Sequence, residues 1–342
     1  MNEHIAHTNI SALSPFSNFQ FNNFIPHHIP DFISISMVSS RSFLKALFFS
    51  TAVLLGQCLP SEFNPSVAIR PINPRQGSGN SAGCGKTPTL TSGTKSMSIN
   101  GQNRQYIIRV PSRYDKNKPY KLIIGLHWRG GTMTDVSSGG SDGEAWAYYG
   151  QQRLANETAI FVAPQGLSNG WANSNGQDMA FIDQMRQTIE NDLCVNQGQR
   201  FALGFSYGAA MSFSIACTRA KDFRAVAVMS GGQLSGCSGG SDPIAYLGIH
   251  GISDNVLSIS GGRTMRDKFA ANNGCSKLNP SEPASGSKAH IKTEYSGCKT
   301  GYPVTWIAFD GGHGPAPVDG GGDSGARSYT PGEIWKFFSQ WS

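Results

Sequence analysis

The chain alternates between short apolar runs and longer amphipathic or polar stretches. The runs, all of strand length, are residues 105–110 (QYIIRV), 121–128 (KLIIGLHW), 160–164 (IFVAP), 200–206 (RFALGFS), 224–230 (RAVAVMS), 245–251 (AYLGIHG) and 304–310 (VTWIAFD). Several are apolar almost throughout, as strands covered on both faces must be. Between them, residues 178–193, 208–218 and 261–272 read as helices. A last helix is announced by Thr330-Pro331-Gly332-Glu333, which offers a capping hydroxyl, a proline at the first helical position and a carboxylate three residues after the cap. Strands alternating with helices predict an α/β domain whose mostly parallel, doubly wound sheet has helices on both faces. Residues 60–92 are rich in Pro, Gly, Ser and Asn, and most of that stretch reads as a linker.

Composition narrows the class. Apolar residues make up 39% of the chain and charged ones 15%, with 41 glycines, as in a turn-rich globular protein. The net charge of +6 is spread along the sequence without a run of like charges to grip a phosphate backbone, which argues against nucleic acid as a partner. Arg41 and Lys45 flank the start of an apolar run, residues 46–55 (ALFFSTAVLL), followed by Gly56, Cys58 and Pro60. That is the shape of a signal peptide. The run falls short of the roughly 20 apolar residues of a membrane span. The expected organisation is therefore a signal peptide over 37–60, a linker over 61–83 and one α/β domain over 84–342, in a secreted, monomeric protein that does not bind membranes. Residues 1–36 are expected to be a leader outside the native protein or a misassigned start, with Met37 the true first residue.

If Cys58 leaves with the signal, the other cysteines are Cys84, Cys194, Cys217, Cys237, Cys275 and Cys298, an even number that suits disulfides in an exported chain. Cys275 and Cys298 bracket a polar stretch that a bridge would staple. Cys194 and Cys217 both fall at the edge of the sheet remote from the nucleophile and are expected to pair, which leaves Cys237 for Cys84. Asn156-Glu157-Thr158 is a glycosylation sequon. Neither a metal nor a cofactor is expected: no histidine pair has zinc-like spacing, and residues 80–87 (NSAGCGKT) lack both the first glycine and the preceding strand of a phosphate-binding loop.

The candidate chemistry starts at Gly204-Phe205-Ser206-Tyr207-Gly208, which matches G-x-S-x-G and lies between an apolar strand and a helix opening with small residues. A nucleophile on a sharp strand-to-helix turn needs such neighbours, because the backbone crowds itself there. Ser206 is a weak nucleophile without a base. His313, in the glycine-rich loop after residues 304–310, has the chain position that this turn requires of the base; His127 precedes the nucleophile, His250 lies within a strand end, and His290 sits in a polar stretch. Asp254, just beyond the strand 245–251, is favoured to orient His313 over Asp310, which is only three residues from the histidine, and over Asp242, at the wrong strand end. The oxyanion donors expected are the backbone amides of Tyr207 and of Trp128. The rings of Trp128 and Trp171 are candidates for holding an aromatic substrate.

The segments GLHWRGG (125–131), GWANSNGQDMAFIDQM (170–185), GFSYGAAMS (204–212), QLSGCSGG (233–240), GIHGISD (248–254) and TWIAFDGGHGPAP (305–317) resemble those of the fungal feruloyl esterases, within the wider carbohydrate esterases of family one and the polyhydroxybutyrate-depolymerase-like esterases. The resemblance runs from Cys84 to Trp341. It implies an α/β-hydrolase fold and hydrolysis of esters that join ferulate and related hydroxycinnamates to arabinoxylan or pectin. It also implies that the family's serine, aspartate and histidine are Ser206, Asp254 and His313. Ala209 and Ala210 depart from the glycines common there, a change that a helix tolerates. Acetylxylan or polyester esterase activity and a non-catalytic wall-binding role are the alternatives.

Overall fold

The computed structural model describes residues 79–237 and 239–341; the expected leader, the signal segment and the linker up to residue 78 lie outside the described residues. In chain order the elements are β1 (Gly93–Ile99), β2 (Gln102–Arg109), β3 (Tyr120–Leu126), α1 (Met133–Ser138), α2 (Gln151–Ala155), β4 (Ala159–Pro164), α3 (Gln177–Asp192), β5 (Val195–Phe205), α4 (Tyr207–Thr218), β6 (Ala225–Met229), β7 (Ala245–Gly251), α5 (Ile259–Asn272), β8 (His290–Glu294), β9 (Val304–Phe309) and α6 (Thr330–Phe338).

They form a nine-stranded sheet in the order β1-β2-β4-β3-β5-β6-β7-β9-β8. The strands from β4 to β9 across its middle run parallel, whereas β1 and β2 at one edge and β8 at the other are antiparallel. The unbroken apolar runs have a simple cause. Along β3, Leu122, Ile124 and Leu126 face one core while Ile123 faces the other. On β9, Trp306 and Ala308 go one way, Ile307 and Phe309 the other. The first core is closed by α3, α4 and α5, the second by α1, α2 and α6. This is the α/β-hydrolase architecture, and it puts the C-terminal ends of the central strands along one rim, where such sheets carry their sites.

Both edge strands escape the hydrophobic pattern. β1 reads GTKSMSI and β8 reads HIKTE, each largely exposed or half-buried, so His290 belongs to a strand and not to a loop. The last helix also starts differently from expectation. Tyr329 stands at its N-cap position without a side-chain cap, while the fully buried Thr330 hydroxyl donates to Pro315 O and lies 2.9 Å from Ser328 Oγ. A hydroxyl drawn into the neighbouring loop is lost to the helix end.

The body begins before Cys84. Ser81, taken from its composition as linker, is buried, bonds Leu193 O through its hydroxyl and pairs with Val195 through its backbone. The disulfides are Cys84–Cys194, Cys217–Cys237 and Cys275–Cys298. The last is as expected, and the other two correct the anticipated Cys194–Cys217 and Cys84–Cys237 pairs. After β6 the chain runs back along α4, where Ser214 Oγ holds Ser235 O, and so delivers Cys237 to Cys217 at the helix end. Cys194 is left beside the N-terminal strap. Trp341 also reaches this rear side of the sheet, its carbonyl accepting from Gln199 and its ring lying near Phe201.

Candidate active site

Ser206 sits at the tip of β5, in a left-handed conformation (φ 56°, ψ −115°) that costs a non-glycine residue roughly 1–3 kcal/mol. The two glycines of the motif explain how the turn is tolerated. A Cβ on Gly204 would lie 2.5 Å from the Gly208 carbonyl carbon, and one on Gly208 would lie 2.1 Å from Leu126 O. Strand, turn and the segment after β3 are thus pressed together until only hydrogen fits.

Loops at three strand ends converge there. His313 Nε2 is 2.9 Å from Ser206 Oγ, and His313 Nδ1 is 2.8 Å from Asp254 Oδ2. A carboxylate only accepts, so Nδ1 carries the hydrogen and Nε2 faces the serine as an acceptor. Asp254 Oδ1 takes the amides of Val256 (2.9 Å) and Leu257 (2.8 Å), and Oδ2 lies 3.3 Å from His250 Nε2. Burial by itself would raise the Asp254 pKa, but the hydrogen bonds from His250, His313, Leu257 and Val256 outweigh it and hold the carboxyl well below the usual aspartate range. Asp254 is therefore a fixed anion. Gly251 packs the two loops together, since a Cβ there would meet Gly311 O and Gly312 O at 2.4 and 2.3 Å.

The rival residues lie elsewhere. Asp310 Oδ2 accepts from Lys288 N and so shapes its own loop. His290 pairs with Asp319 at 2.8 Å and stacks on Tyr329. His127 is fully buried: its Nε2 accepts from Gly166 N at 2.9 Å, which leaves Nδ1 to donate to Trp128 O at 2.7 Å. Burial lowers its pKa, against the opposing Trp128 carbonyl. His127 thus anchors the segment after β3, which Tyr149 also holds through a hydroxyl bond to Leu126 O at 2.6 Å.

The Trp128 and Tyr207 amides donate to no protein acceptor among the described residues, and Tyr207 is the first residue of α4, where a helix leaves N–H groups free. The floor opens into a cleft of about 840 Å³ lined largely by apolar groups, among them Trp128, Leu167, Phe205, Leu234, Val256 and Leu257. Among the described residues on its wall, Arg129 is the one lysine, arginine or carboxylate. Trp128 lines this space. Trp171 does not: its ring is fully buried, its Nε1 donates to His127 O at 2.8 Å, and only its neighbours Gly170 and Ala172 reach the cleft. The loop shows its backbone to the cleft and turns the indole into the core, a direction that residue type alone does not carry. Sequence reasoning missed Leu234 (48% exposed) and Val256 (63% exposed) on the rim. Their one signal is a large apolar residue inside an otherwise polar loop.

No family model matches the chain. Feruloyl esterase C of Emericella nidulans is 52% identical over 259 residues, spanning 76% of this chain and 91% of that protein. Feruloyl esterase D of Neurospora crassa is 45% identical over 267 residues, 77% of this chain and 91% of its own length. Among solved structures, an acetyl xylan esterase from Aspergillus awamori superposes with a TM-score of 0.50 at 16% identity, covering 72% of this chain and all of that one, a likeness of fold alone. With about half of the aligned residues identical across nine tenths of the length of such relatives, the chain belongs to the feruloyl esterase family.

Proposed function

We propose that the protein is a secreted serine esterase that cleaves feruloyl and related hydroxycinnamoyl esters of plant cell-wall polysaccharides through an acyl-enzyme. The observation that carries this reading is the hydrogen-bonded chain from Ser206 through His313 to Asp254 at the floor of an apolar cleft. In the first half-reaction Ser206 Oγ attacks the ester carbonyl carbon while its proton passes to His313 Nε2. Asp254 keeps its charge beside Nδ1–H and stabilises the imidazolium. The tetrahedral oxyanion takes the Tyr207 and Trp128 amides, both free to donate and held by a backbone that need not reorganise. His313 then protonates the departing sugar oxygen, leaving ferulate bound to Ser206. In the second half-reaction His313 takes a proton from water, whose oxygen attacks the acyl carbon, and returns it to Ser206.

The walls favour an aromatic acyl group. A planar cinnamoyl ring can bury its faces against Phe205, Leu234, Val256 and Leu257 at about 25 cal/mol per Å² of apolar surface removed from water, whereas an acetyl group covers almost none of it. Relatives named as feruloyl esterases at 45–52% identity support the same choice. The test is a panel of methyl ferulate, methyl caffeate, p-nitrophenyl acetate and acetylated xylan. Methyl ferulate or caffeate should have the higher kcat/KM, feruloylated arabinoxylan and pectin fragments should release free ferulate, and equal or better turnover of acetylated xylan would move the assignment to an acetyl esterase.

A further inference from the structure

A second histidine reaches the carboxylate of Asp254. His250, at the end of β7, is 1% exposed and places its Nε2 2.7 Å from Leu257 O and 3.3 Å from Asp254 Oδ2. A carbonyl oxygen can only accept, so Nε2 carries a hydrogen and donates it to Leu257 O, with Asp254 Oδ2 a longer-range partner beside it. The ring has little freedom to do otherwise. Trp306 stacks over it with ring centres 6.2 Å apart, and a Cβ on Gly262 of α5 would come within 2.4 Å of His250 Nδ1.

Leu257 is accordingly gripped on both sides of its Cα, its N–H donating to Asp254 and its C=O accepting from His250. Val256, on the same loop, gives its N–H to the same carboxylate oxygen. Both residues line the cleft. The residues that touch substrate and the carboxylate that orients His313 therefore share one small hydrogen-bonded ring, closed by His250.

We propose that His250 is a positioning residue for Asp254, and that through it the carboxylate and the cleft wall at Val256 and Leu257 move as one unit. The proposal rests on the roles assigned above to Ser206, His313 and Asp254. It makes the fit of the acyl group at Val256 and Leu257 a determinant of how well Asp254 is aimed, so that good and poor acyl groups differ in kcat as well as in KM. Among the described residues the other titratable or charged groups near this ring are His313, across the carboxylate, and Arg266, whose guanidinium lies 4.9 Å from the centre of the Trp306 ring.

The experiment is a double-mutant cycle on methyl ferulate. His250→Leu should lower kcat/KM by about a hundredfold, the loss that a misplacement near 1 Å brings. His250→Gln, whose side-chain amide can still donate where Nε2 does, should recover most of it. In the Asp254→Asn background the same His250→Leu change should cost under about threefold, because a group that acts through the carboxylate has nothing left to act on. Gly262→Ala, which leaves the chemistry of His250 intact and pushes its ring, should reproduce part of the loss, and serves also if His250→Leu fails to fold. Equal losses in the two backgrounds, or a Gln variant no better than Leu, would overturn the proposal while Ser206→Ala stays inactive and Asp254→Asn keeps only its small residual rate. Activity retained by those two controls would instead bring down the catalytic assignment, and this proposal with it.

Discussion

The floor and the walls of the cleft are built on opposite principles. On the floor the side-chain polar atoms are spoken for: Ser206, His313 and Asp254 hold one another at 2.8–2.9 Å, and the carboxylate is further tied to two amides. Along the rim, Leu234 and Val256 are largely exposed, with side chains that can make no hydrogen bond. A floor of this kind fixes reacting atoms to within tenths of an ångström, and its parts fail together. Side chains that offer an acyl group area alone are forgiving. They tolerate a family of acyl groups and lose affinity by degrees as these change.

Substitutions on the floor should separate the two regions most sharply. Ser206→Ala is expected to lower kcat about a millionfold, as loss of the nucleophile does in other serine triads, with the melting temperature little changed. Retention of a tenth of the wild-type rate would remove Ser206 from its role. Asp254→Asn should cost about ten thousandfold by setting the wrong tautomer of His313, whereas Asp310→Asn, whose oxygen serves only Lys288 N, should stay close to wild type. The larger loss in Asp310→Asn, at equal stability, would show the carboxylate to be misassigned.

A change on the wall should act on a smaller scale, most of it in KM, with a lesser part in kcat through the link from Val256 to Asp254. Leu234→Ala with Val256→Ala should raise KM for methyl ferulate about tenfold and leave p-nitrophenyl acetate almost untouched, since deletions of this size in an apolar site are worth about 1–3 kcal/mol. An equal effect on both esters would show that these side chains do not meet the acyl group. The two tryptophans divide in the same way. Trp128→Ala should narrow the preference for ferulate over acetate, while Trp171→Ala should lower stability by about 3–5 kcal/mol, as for other buried aromatic residues. Thermal melts beside the kinetics distinguish the two outcomes.

The smallest effect expected is a pH dependence of stability. Because Asp254 is held below its usual value, the stability that its hydrogen bonds contribute is fully present above the ordinary aspartate pKa of about 3.9 and is lost as the pH falls through the depressed folded-state value. Urea melts of wild type and Asp254→Asn should therefore differ by a constant amount from neutral pH down to about pH 5 and converge in stronger acid. A gap that closed between pH 7 and pH 5 would mean that the carboxyl is not held as described.

The same contrast explains what the sequence carried. The central strands were legible because burial on both faces leaves no polar position, and Ser206, Asp254 and His313 because each follows an apolar strand in an order that the fold imposes. β1 and β8 were hidden by being edges: with one neighbour and a wet face, GTKSMSI and HIKTE need little hydrophobicity. Trp171 misled because whether a loop side chain points to the cleft or to the core is decided by partners such as His127 O, far away in sequence. The Cys217–Cys237 bridge was out of reach for a similar reason, since it depends on the path of residues 231–237 back along α4.

The strap at the rear of the sheet bears on how such an enzyme can be handled. Ser81 and Cys84 fasten the start of the described chain beside the first residues of β5, and Trp341 closes its end against Gln199 and Phe201 on the same strand. Both attachment points thus lie at the end of β5 opposite to Ser206. A tether grafted ahead of residue 79 or after residue 341, whether to a resin, a cell surface or a fused module, is therefore expected to depart from the side of the sheet opposite Ser206 and to leave the mouth of the cleft open.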